Sequence, residues 1–161
     1  MVNTLRAEFV NPFLESTYGF FSSMLSCKAR RGMPGLTDGS KRPSEVLALI
    51  GISGVVRGSL AISMPAETAI AIAGKLLGTQ LSEFDETVSD CLGEAVNIIA
   101  GGAKAKLSEL LKTTLDLTLP TVIRGGSYEM YSPSRVKWLE VPFSSDLGNF
   151  ALRVMLDMST K

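Results

Sequence analysis

The chain has 161 residues, 45% of them hydrophobic and 20% charged, with sixteen basic residues against sixteen acidic ones. That is globular composition, and the balanced charge argues against a nucleic-acid binder, which ordinarily carries a basic excess. It contains no histidine, which excludes Ser-His-Asp and Cys-His catalysis, HExxH metalloprotease chemistry and His-ligated zinc sites. Cys27 and Cys91 lie far apart and outside CxxC spacing, so Cys91, inside an apolar-periodic stretch, reads as a buried core thiol. No basic region followed by an apolar run and a cleavage site opens the chain, and no apolar run approaches the roughly 18–20 residues that span a bilayer. The expectation is a cytoplasmic chain forming one domain over residues 1–161, with neither a nucleic-acid nor a membrane partner.

The segment from Asn11 to Leu25 places Phe13, Leu14, Tyr18, Phe21 and Leu25 at helical spacing, with Pro12 suited to the first helical position. The stretch 28–43 is rich in glycine and proline and carries Lys28, Arg30, Arg31, Lys41 and Arg42; it reads as a mobile surface loop. Glu45 to Ser53 and Val55 to Met64 read as two strands of a hairpin, the second alternating with period two. Pro65 opens a helix carrying Ile70, Ala73, Leu76 and Leu77, which Gly78 closes. A long helix is predicted from about Asp85 to Lys112. Strands then return over Thr113 to Leu119, Val136 to Phe143 and Phe150 to Met158. This order argues for an α+β fold, helices packed on a largely antiparallel β-sheet. Arg57 and Arg153 stand opposite their apolar neighbours, so part of the sheet is expected to carry a wet face.

The long predicted helix carries the informative pattern. At about 100° per residue, Val88, Leu92, Ala95, Ile99 and Ala103 share one face and form the core side. Asp90, Glu94, Asn97 and Gly101 fall within an arc of roughly 60° on nearly the opposite side. Glycine inside a helix costs ~0.5–1 kcal/mol against alanine, and close approach by another surface is the natural reason to keep one on an exposed stripe. Asparagine is likewise an indifferent helix former. Polar helix faces carry such residues routinely, so periodicity alone leaves a plain solvated face open.

The pattern Asp90-x-x-x-Glu94-x-x-Asn97, followed after twenty-two intervening residues by Pro120, resembles the signature of the CheC/CheX/FliY phosphatases at all four positions. NPFLES near the start, GVVRGSLAISMPAETA from Gly54 to Ala69 and GEAVNIIAGGAK from Gly93 to Lys104 resemble the CheX branch in the same order. The likeness runs from about residue 8 to the C-terminus and leaves the 28–43 loop unmatched. It implies a CheC/CheX-like fold and a hydrolase acting on the aspartyl phosphate of a CheY-like response regulator. Asn97 would orient the attacking water and Glu94 would pair with the regulator's active-site lysine. Asp90 and Gly101 would belong to the partner-binding surface, Gly101 by letting the partner's backbone come close. No cofactor or metal site of the chain's own is implied, since Mg²⁺ is expected with the regulator. The resemblance also implies a homodimer joined through edge strands; apolar alternation near the C-terminus would otherwise leave an edge exposed.

Thr4, Glu8, Asn11 and Pro34 repeat the same spacing. Because Asn11 precedes a proline, Glu8 and Asn11 are expected at or before the helix start, not aligned on a helical face. One site is therefore counted. The alternative reading is a CheX-like module that binds a regulator, or dimerises, without hydrolysing anything.

Overall fold

The computed structural model describes residues 6–37, 44–125 and 136–158. Among them run α1 (Ala7–Met24), β1 (Ala29–Arg31), β2 (Gly35–Thr37), β3 (Val46–Ser53), β4 (Arg57–Met64) and α2 (Ala66–Leu77). There follow α3 (Glu86–Leu111), β5 (Asp116–Leu117), β6 (Thr121–Arg124), β7 (Trp138–Ser145) and β8 (Phe150–Asp157). The strands form one antiparallel sheet in the order β1-β7-β8-β4-β3-β5, with β2 also on β7 and β6 also on β3. The expected α+β class is the observed one.

The core lies between one face of this sheet and the helices. Val88, Leu92, Ala95, Ile99 and Ala103 of α3 are all buried, as the helical period required. Helix α1 contributes Phe13, Phe20 and Phe21 to the same core. The Phe21 ring stacks on Phe150 at 4.8 Å between centroids, and Phe150 stacks on Phe143 at 4.9 Å, tying α1 to β7 and β8. Helix α2 ends as expected: Gly78 takes the left-handed conformation (φ 67°), which costs glycine nothing because it lacks a Cβ.

Four expectations are corrected. Helix α1 starts at Ala7, so Pro12 lies inside it, and both Glu8 and Asn11 are helical and exposed. The missing proline N–H costs the helix only the donor to the Glu8 carbonyl, and Pro12 is itself buried. The stretch read as a loop contains β1 and β2, whose partner is β7; residues 38–43 lie outside the described part. Of the strand expected over Thr113–Leu119 only Asp116–Leu117 forms, as β5; pairing with β3 lapses around Pro120, which has no N–H to donate, and resumes in β6, beyond the expected span.

Fourth, Arg153 does not face water. It is 1% exposed, and its Nε and Nη2 each donate to Glu140 Oε2 at 2.8 Å from the neighbouring strand. Leu47, Ala61 and Trp138 are buried in a second small apolar cluster. The C-terminal strand β8 also sits inside the sheet, between β7 and β4, so the edges are made by other strands.

Candidate functional site

Helix α3 is continuous through its twin glycines, over 26 residues. At its start the Asp85 carboxylate accepts from Val88 N at 3.1 Å, satisfying one of the free N–H groups of the first turn. At its end Lys112 (φ 52°) closes the last turn by donating its N–H to Glu109 O. Between these caps, Asp90, Glu94 and Asn97 are exposed in a row and Gly101 is half-buried. Asp90, Glu94 and Asn97 make no side-chain hydrogen bond or ion pair among the described residues. A carboxylate and an amide one helical turn apart are thus turned outward with their hydrogen-bonding capacity unspent.

The opposite wall of the site is the segment between β5 and β6. Thr118 N donates to Gly51 O at 3.0 Å, and Gly51 N donates in return to Thr118 Oγ1 at 2.8 Å, so a side chain stands in for one rung of the ladder. Glycine at position 51 gives this pairing its room, since a Cβ there would stand 3.0 Å from the Thr118 methyl carbon. From this anchor the chain crosses to α3, where Pro120 Cγ lies 3.6 Å from the point a Cβ on Gly93 would occupy. The cleft so formed has a volume of about 440 Å³ and is lined by Asp90, Gly93, Glu94 and Asn97 from α3, facing Thr118, Leu119, Pro120 and Val122. Gly101 lies farther along the stripe and is not part of that lining.

Arg124, at the end of β6, fixes the far side. Its guanidinium sits 4.8 Å over the Phe84 ring, just before α3, and its Nε is 3.7 Å from Glu45 Oε2. Glu45 Oε1 in turn accepts from Ala66 N at the start of α2 at 3.2 Å. Cys91, beside the stripe, is buried, and burial pushes its thiol up from the usual range, with the Asp90 and Asp85 charges adding to the shift. It is a core thiol, unsuited to nucleophilic work.

The twin glycines have different surroundings. A Cβ on Gly102 would collide with Ser16 Oγ, which donates to Ile99 O at 2.6 Å where α1 crosses α3. A Cβ on Gly101 would meet nothing within 4 Å. Gly102 is therefore explained inside the fold, and Gly101 is not. Sequence reasoning missed the Gly102–Ser16 contact and the Gly51–Thr118 pair, because both join residues far apart in the chain.

A larger groove, about 760 Å³, runs beside α2 along Ile70, Gly74, Lys75 and Leu81. It contains Glu67 and Gln80, one on α2 and the other on the loop after it. The smaller cleft is the candidate site, because an acid and an amide share one rigid helix face there. Among the described residues no helix is long and apolar enough to cross a membrane.

A sheet with one long helix presenting acid and amide beside a proline-anchored wall defines a class, and comparison with known proteins identifies it. Residues 46–144 match the family described as "Chemotaxis phosphatase CheX". The chain is 31% identical over 127 residues to the CheY-P phosphatase CheX of Thermotoga maritima, covering 78% of this chain and 81% of that one. A CheC-like superfamily protein from Shewanella sp. PV-4 superposes with a TM-score of 0.85 at 30% identity, over 95% of this chain and 99% of that one. The CheX of a CheX–CheY–BeF₃–Mg²⁺ complex from Borrelia burgdorferi superposes with a TM-score of 0.77 at 29% identity, over 94% and 99%. The chain belongs to the CheX family of chemotaxis phosphatases, and it is a hydrolase of that kind.

Proposed function

We propose that this phosphatase hydrolyses the aspartyl phosphate of a CheY-like response regulator, with Glu94 and Asn97 as its working residues. The observation that carries the reading is the pair itself: carboxylate and amide one turn apart on α3, exposed, without partners among the described residues, over the cleft that Pro120 closes. The relative from Thermotoga maritima is named for CheY-P, and the Borrelia burgdorferi relative was crystallised with CheY.

An acyl phosphate needs a water held in line with the scissile P–O bond and little acid–base assistance. The water oxygen bonds to phosphorus as the bond to the aspartate oxygen breaks, giving the free carboxylate and inorganic phosphate, with the water's proton passing to phosphate or solvent. The Asn97 amide suits the positioning task, since it offers donor and acceptor together and bears no charge to repel the phosphoryl oxygens. Glu94, four residues along from Asp90, offers the charge that a lysine beside the phosphorylated aspartate would meet, which sets the register of docking. Asp90 extends that acidic surface, and Gly101 leaves room for the partner's backbone. Mg²⁺ would arrive with the regulator and is not held by this chain.

The test is incubation of the protein with a phosphorylated regulator, following inorganic phosphate. Accelerated release is expected; tight binding without release would instead support the binding-only module. We propose, too, that two copies join through sheet edges. In support, β1 and β2 lie one after the other along β7 at one edge of the sheet, and Met33 between them and Leu36 on β2 are 86% and 67% exposed.

A further inference from the structure

The wall opposite Glu94 and Asn97 carries a large apolar side chain that the proposed chemistry does not use. Leu119 lines the cleft and is 88% exposed, more than any other large hydrophobic residue among those described. One exposed leucine is ordinary on a protein surface. This one differs in how its backbone is held. On one side, Thr118 is pinned to Gly51 by two reciprocal hydrogen bonds, at 3.0 and 2.8 Å. On the other, Pro120 has a restricted φ and rests against α3 at Gly93. Held by anchors on both sides, at Thr118 and Pro120, the single residue between them has no freedom to turn into the core, so the Leu119 side chain is displayed at the mouth of the site. The Thr118 hydroxyl also lies 3.2 Å from Leu119 O, within reach to donate to it.

We infer that Leu119 is an apolar docking anchor for the protein that carries the aspartyl phosphate, received by an apolar patch beside that protein's phosphoryl group. This inference rests on the reading of the site given above and adds a specificity determinant to it. An apolar anchor beside a charged pair divides the labour. Glu94 supplies charge and orientation, and Leu119 supplies surface that leaves water on complex formation. Because the anchor contacts the partner's surface, not the reacting atoms, it acts on affinity and leaves the rate of the bound complex alone.

Leu119→Ser tests this, with Leu119→Met as the rescue and Asn97→Ala as the parallel arm. Serine removes the apolar surface from an exposed position, so the thermal melt should match the parent. KM for the phosphorylated regulator should rise about tenfold or more with kcat within twofold, and affinity for a regulator loaded with BeF₃⁻ and Mg²⁺ should fall by a similar factor. Methionine, of similar volume, should restore both to near the parent values. An unchanged KM and affinity in Leu119→Ser, or a loss confined to kcat, overturns the inference. If Asn97→Ala also leaves kcat untouched, the catalytic reading of the site falls; the BeF₃⁻ affinity of Leu119→Ser still decides whether the anchor stands, because that measurement involves no turnover.

Discussion

Pro120 rests on α3 directly over Gly93, its Cγ 3.6 Å from where a β-carbon on that glycine would stand. This contact explains why a proline twenty-six residues after Glu94 belongs to the same site: it holds the cleft wall at a set height above the helix. A methyl fits at ordinary van der Waals distance. Gly93→Ala should therefore retain turnover and match or exceed the parent's stability, by up to ~1 kcal/mol from helix propensity. Gly93→Leu has no such space, because the residue is buried. Overpacking should cost ~1–3 kcal/mol and displace the Thr118–Pro120 wall, lowering phosphate release at least several-fold. Thermal melts and phosphate assays on the two variants read this contrast.

Asn97 and Glu94 should separate rate from docking. Asn97→Ala, at an exposed position, is expected to shift stability by no more than ~0.5 kcal/mol while phosphate release falls on the order of 10²-fold. Glu94→Ala should weaken regulator affinity as well as rate, since it removes one partner of an intermolecular charge pair. The control is Glu8→Ala combined with Asn11→Ala. That pair does lie on the exposed face of α1, contrary to the expectation from Pro12, but Glu8 faces Arg6 at 3.5 Å. Turnover should be unchanged; a loss would indicate a second working site.

The adjacent glycines of α3 should answer differently to the same change. Gly102→Ala drives a methyl into Ser16, whose Cβ would lie 3.3 Å away, and breaks the hydrogen bond to Ile99 O. A loss of ~1–3 kcal/mol in denaturant unfolding is expected. Gly101→Ala meets open space and should not destabilise the helix. If the regulator's backbone approaches there, that variant should instead raise KM, with its melt unchanged.

Arg153 and Glu140 form the most deeply buried ion pair among the described residues, the arginine 1% exposed. Glu140→Ala removes a carboxylate that accepts two hydrogen bonds from a buried guanidinium that cannot shed its charge, and a destabilisation of at least ~1–3 kcal/mol is expected. Arg153→Met together with Glu140→Leu should recover much of that loss, because an apolar pair of similar volume needs no charge compensation. Urea unfolding of the three proteins decides the matter.

Multi-angle light scattering at micromolar concentration should report a mass near twice 17.2 kDa. A monomer would remove the proposed dimer and leave the site intact, since Glu94, Asn97 and Pro120 all come from one chain.

Local rules were enough for much of this molecule. The caps of α3, Asp85 and Lys112, stand within a residue of where the apolar period placed them, and Gly78 ends α2 as a glycine in the left-handed region should. The stripe of Asp90, Glu94 and Asn97 was legible for the same reason: three residues on one face of one helix are related by helix geometry alone. Elements shorter than a few residues were not legible. β1 and β2 exist because β7 offers them a ladder, and a three-residue strand has no period of its own to read. The burial of Arg153 was likewise undecidable from alternation, which shows that a side chain points away from its neighbours but not whether water or a Glu140 waits there. The helix therefore determined which acid and amide stand together. Tertiary structure alone decided what faces them, because the Gly51–Thr118 bonds and the Pro120–Gly93 contact join segments that only the folded sheet brings within reach.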